Sequence, residues 1–133
     1  MIENKPLTAM DRLARVIADT TGVAFAILIG SRTGNTAQAG SDWDIAVCWR
    51  PTGTPLTHIG QHEMLRHRLA QCLDIPDEKI DLIDLASARL AMKAVVVEEG
   101  TVLHIQDDLA WAYFQTATWR ELEDYYWHRA HAA

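Results

Sequence analysis

Apolar residues early in the chain recur at three- and four-residue intervals: Leu7, Met10, Leu13, Ala14, Ile17 and Ala18. That spacing is the stripe of an amphipathic helix, predicted over residues 6–20 and closed by Gly22. The pattern then changes. VAFAILIG, residues 23–30, is a continuous apolar run rich in branched side chains, as expected of a central strand buried on both faces. SRTGNTAQAGS has no apolar period and reads as a turn, with room for one short helix after Ser31. WDIAVCW, residues 43–49, alternates and is β-prone, and Pro51, Gly53 and Pro55 stop it. Ile59, Met64, Leu65, Leu69 and Leu73 place a second helix over 57–73, ended by Pro76. KIDLIDL, residues 79–85, is a third strand. Ser87 caps a third helix that runs to Glu99 and stops at Gly100, TVLHI is a fourth strand, and Asp107 caps a last helix to about His128. Strands alternating with helices, without repeat or linker, predict a single α/β layered domain over residues 1–133.

Composition narrows the class. At 133 residues and 49% apolar content the chain can fill one core. A formal charge of -6 excludes affinity built on neutralising phosphates along a duplex, and suits a basic partner or a metal-bound anion. Cys48 and Cys72 are too few for a disulfide framework or a zinc site, so a reducing cytoplasm is expected. No apolar run approaches the roughly 20 residues that span a bilayer, and the start MIENKPLTAM lacks the character of a signal peptide.

The candidate chemistry gathers around the first turn. A strand that delivers Gly30-Ser31 to a helix start aims free N–H groups at whatever lies above it, and glycine lets a phosphate approach closely. On its own a Gly-Ser turn is commonplace. Asp42 and Asp44 add weight, because residues two apart on a strand share a face, and two adjacent carboxylates repel unless a cation such as Mg²⁺ lies between them. Asp81 and Asp84 sit on a run otherwise suited to the interior, where an unpaired charge is costly. Three apart, they point to opposite faces, so only one joins the pair; Asp81 is preferred, with Asp84 as its substitute. Three carboxylates divide the work of an in-line phosphoryl or nucleotidyl displacement. Asp42 and Asp44 hold two metal ions, while the third ligates one ion and accepts the proton of the attacking hydroxyl.

GSRTGNTAQAGSDWDIAV, Gly30 to Val47, resembles the signature of the minimal nucleotidyltransferases of the DNA polymerase β superfamily. The spacing from Gly-Ser to Ser-Asp-x-Asp matches without a gap, and KIDLIDL supplies the later aspartate. The resemblance implies a polymerase-β-like fold, a small mixed sheet of about four strands flanked by helices, and a triphosphate contacted by Gly30, Ser31, Arg32 and Ser41. It further implies two Mg²⁺ held by Asp42, Asp44 and Asp81, with ATP as substrate. One departure stands out: where the family has Ala-Arg-Gly after Gly-Ser-x, this chain has Thr33, Gly34 and Asn35, which leaves Arg32 to face phosphate. Small members of this kind resemble the antitoxin half of HepT/MntA two-gene modules, in which AMP passes from ATP to a tyrosine of a helical, HepT-like RNase toxin. The expected function is therefore protein adenylylation by an antitoxin. The alternatives are an aminoglycoside-like small-molecule nucleotidyltransferase, which usually carries an added helical domain, and a catalytically weak, binding-only antitoxin or scaffold.

Two other features bear on partners. His58 and His62 have metal-ligand spacing but no third ligand in register. The last helix carries Trp111, Tyr113, Phe114, Trp119, Tyr125, Tyr126 and Trp127, more aromatics than one face buries, which points to a partner surface.

Overall fold

The computed structural model describes residues 7–30, 42–51 and 53–132. The elements are α1 (Ala9–Ala18), β1 (Val23–Ile29), β2 (Trp43–Trp49), α2 (Pro55–Leu73), β3 (Ile80–Asp84), α3 (Leu90–Glu99), β4 (Thr101–Ile105) and α4 (Asp108–Ala130). Ser31 to Ser41, and with them any short helix after Ser31, lie outside the described residues.

Helix boundaries follow local chemistry more closely than the apolar stripe did. α1 starts at Ala9, three residues later than the stripe suggested. Thr8 and Asp11 form a reciprocal capping box there, each side chain accepting from the other's backbone N–H at 3.1 Å. α2 starts earlier than expected: Pro55 occupies its first turn, and the Thr54 hydroxyl accepts from Thr57 N–H at 3.2 Å. Ser87 does not cap α3. It closes a 3₁₀ turn, Leu85–Ser87, and α3 begins after Arg89 without a side-chain cap. Asp107 does cap α4, accepting from Ala110 N–H at 3.1 Å.

The strands of the described residues form one four-stranded mixed sheet in the order β3-β2-β1-β4. β1 pairs antiparallel with both β2 and β4, and β2 pairs parallel with β3. Helices cover both faces, which explains why β1 is buried throughout. On one face Ile45, Val47, Ile80 and Leu82 pack against Leu13 and Ile17 of α1 and Leu65 and Leu69 of α2. On the other, Ala46, Phe25 and Ile27 meet Val96 of α3 and Trp111 and Phe114 of α4. A register shift between Val23 and Phe25 moves the later residues of β1 out of phase with its start, so Val23, Ala26 and Leu28 share the first face while Phe25, Ile27 and Ile29 share the second.

Gly100 ends α3, as the sequence suggested, but without the left-handed backbone that commonly favours glycine at a helix end. Its φ is -73°. A methyl group there would collide with Ile27 Cγ2 and Val96 O, so the joint between α3 and β4 needs glycine for space.

Candidate active site

β1 ends where β2 and β3 begin, and the candidate residues collect at that end of the sheet. Ile29 pairs with Asp44, and Asp44 pairs with Asp81 across the parallel ladder. Asp44 has the same parity as Ala46 and Cys48, and Asp81 the same parity as Ile83. Both carboxylates therefore lie on the α3/α4 face. The two carboxylates are neighbours, close enough for the charge of Asp81 to bear on Asp44. Burial, then the charges of Asp81 and Asp42, push the Asp44 carboxyl above its ordinary value of 3.8.

Gly30 packs directly under Asp44. Its φ is +84°, and a Cβ built on it would stand 2.6 Å from Asp44 Oδ2. The turn thus brings backbone against a carboxylate in a conformation other residues rarely adopt. Asp42 is exposed beside them, its Oδ1 lying 3.9 Å from Lys79 Nζ. Ser31, Arg32 and Ser41 lie outside the described residues, as do Thr33, Gly34 and Asn35.

Asp84 is on the opposite face. Its Oδ2 accepts from His58 Nε2 at 2.6 Å, and its Oδ1 accepts from Ala86 N–H at 3.0 Å. Sequence spacing had set His58 and His62 side by side without giving them a task. The structure uses both as braces between α2 and the sheet. His62 Nδ1 accepts from Trp49 Nε1–H at 3.1 Å, which leaves Nε2–H to donate to Leu82 O at 2.9 Å. The ring is thereby fixed in one neutral tautomer, with no lone pair left for a metal. The polar tip of Trp49, a residue read only as apolar, was the missing signal.

Among the described residues no three His, Cys, Asp or Glu side chains already converge to hold a metal ion. The donor set nevertheless fits one. Asp44 and Asp81, neighbours across the ladder, could supply hard oxygen ligands, with Asp42 adjacent, and the charges that add to burial in raising the Asp44 carboxyl are ones a divalent cation would offset.

This sheet order, with acidic residues opening β2 and β3 beside a glycine turn, defines a nucleotidyltransferase. Residues 11–109 match the family described as Polymerase beta, Nucleotidyltransferase, and the chain belongs to it. No curated protein matches the chain in sequence. Among solved structures, a mutant toxin-antitoxin pair, MntA-HpeT, aligns at TM-score 0.71 with 23% identity, covering 93% of this chain and 94% of the other. A toxin-antitoxin with AMP-PNP aligns at 0.71 with 24% identity, covering 91% and 92%. A tri-AMPylated Shewanella oneidensis HEPN toxin in complex with MNT antitoxin aligns at 0.64 with 23% identity, covering 92% and 90%. At these identities the likeness is one of fold.

Proposed function

We propose that this chain is an antitoxin that transfers AMP from ATP to a tyrosine hydroxyl of a helical toxin of the HepT/HEPN kind. The observation that carries the reading is Asp44 beside Asp81 across the β2–β3 ladder and packed on Gly30, with Asp42 alongside. Fold neighbours that include an AMP-PNP complex and an AMPylated toxin support the nucleotide and the acceptor.

In this reading Asp42 and Asp44 hold two Mg²⁺, and Asp81 ligates one of them. Bound there, the ions would neutralise the triphosphate and polarise the α-phosphorus. Gly30, with Ser31, Arg32 and Ser41, positions the phosphates. Asp81 takes the proton from the tyrosine hydroxyl as its oxygen bonds to the α-phosphorus and pyrophosphate departs with the electrons of the broken P–O bond. The apolar residues left exposed on α4, among them Leu109, Tyr113, Tyr126 and Trp127, at 82, 75, 64 and 57% exposure, are the surface offered to the toxin.

The test is intact mass spectrometry of the chain and its co-purified partner incubated with ATP and Mg²⁺. One or more AMP units on the partner are expected, and none with Asp42→Asn/Asp44→Asn. A stable complex with no mass change in any sample sinks the catalytic reading in favour of neutralisation by binding alone. Asp81→Asn should lower turnover by two or more orders of magnitude, on the scale of lost general-base and metal-ligand function. Asp84→Asn should act only through stability.

A further inference from the structure

Asp42 is the outlier of the carboxylate group. Asp44 and Asp81 stand side by side across the β2–β3 ladder, whereas Asp42 precedes β2 and has its Oδ1 3.9 Å from Lys79 Nζ, with both side chains about half exposed. Lys79 ends the 3₁₀ turn Asp77–Lys79 that leads into β3, so the segment that delivers Asp81 to the site delivers a cation with it. The ammonium and a divalent ion compete for the same carboxylate, and as long as Lys79 keeps Asp42 the three-carboxylate set is incomplete.

We propose that Lys79 is a positioning residue that keeps Asp42 out of the Asp44–Asp81 pair until metal and nucleotide arrive together. The inference rests on reading Asp42, Asp44 and Asp81 as the metal-binding set. Physically, a metal ion alone must displace the ammonium from Asp42 and then sit beside it as a second positive charge. The phosphates of a bound nucleotide give the ammonium another anion to face, and the four-carbon stem of lysine lets it follow. Asp42 is then released at little cost. The arrangement makes metal affinity weak in the free protein and strong in the presence of nucleotide, which is a coupling between two ligands through one ion pair.

Calorimetric titration of the nucleotide-free chain with Mn²⁺, as a stand-in for Mg²⁺, tests it. Lys79→Met should tighten Mn²⁺ binding about three- to fivefold, the fold-change an exposed ion pair is worth, and Lys79→Arg should leave it within about twofold of the parent. In an Asp42→Asn background the effect of Lys79→Met should fall below about twofold, because the pair no longer exists. Equal tightening in both backgrounds would mean that Lys79 acts through its general field, and no tightening would mean that it does not compete; either overturns the proposal. A lysine that only braced the turn would lower the melting temperature without changing Mn²⁺ affinity. Should Asp44→Asn bind Mn²⁺ as well as the parent, or should no variant bind it at all, the metal-site reading itself fails, a result distinct from a null effect at position 79.

Discussion

Gly30 meets two demands that exclude other side chains: a φ of +84° and less than a methyl group's room beneath Asp44. Gly30→Ala therefore has to shift either the turn or the carboxylate. A cost of about 1–3 kcal/mol for the strained backbone is expected, read from urea unfolding, together with loss of most nucleotidyl transfer. At Asp44 itself, stability and function oppose each other. A carboxyl raised above 3.8 keeps its proton in the fold after the unfolded chain has lost it, so stability falls as pH rises from the unfolded value through the folded one, and the deficit persists at neutral pH. Asp44→Asn should remove that decline and make the metal-free chain more stable at pH 7, by at most about 1 kcal/mol given solvent screening. Thermal melts across pH 3–8, with and without Mg²⁺, check the sign: a stabilising effect of Mg²⁺ seen in the parent should vanish in the variant. That Asp81 is the one beside Asp44 follows from the parallel register of β2 and β3; that Asp81 and Asp84 face apart was legible in the sequence, because side chains alternate along a strand. The roles of His58 and His62 were not, because a hydrogen bond from Trp49 to His62 links residues thirteen apart on different elements.

At the scale of elements, periodicity located the four helices and four strands of the described residues, while their edges were set by caps that the apolar stripe ignores. Thr8 with Asp11 moved the start of α1, and Thr54 with Pro55 moved that of α2. Ser87 misled because a 3₁₀ turn, closed by Asp84 accepting from Ala86 N–H, precedes α3 and displaces its start to Leu90. Gly100 shows the opposite case, a boundary correctly located whose physical reason the sequence does not carry. Its glycine is required by the closeness of α3 to β1 at Ile27, a tertiary fact with no local signature. Gly100→Ala should cost about 1–3 kcal/mol, as overpacking does, even though alanine is the better helix former. Chemical denaturation of the variant is the measurement, and unchanged stability would show that the joint relaxes.

For the molecule as a whole, the aromatics of α4 divide by depth. Trp111 and Phe114 pack on Phe25 with ring centroids 4.9 and 5.5 Å away, whereas Tyr125, Tyr126 and Trp127 lie on the exposed final turns. Removing residues 123–133 should change unfolding free energy by less than about 1 kcal/mol, because the described residues of that segment are exposed. Tyr126→Ala/Trp127→Ala should leave folding intact and weaken the partner complex by at least about tenfold, the loss of one interface anchor, measured by surface plasmon resonance. The sheet order carries a different implication. Among the described residues β3 is an edge strand, and Asp81 is an exposed acidic residue on it. Unpaired strand edges recruit other chains unless charge repels them. The carboxylate proposed for chemistry thus also guards the sheet against self-association, and variants that neutralise Asp81 should be the ones that precipitate first when concentrated.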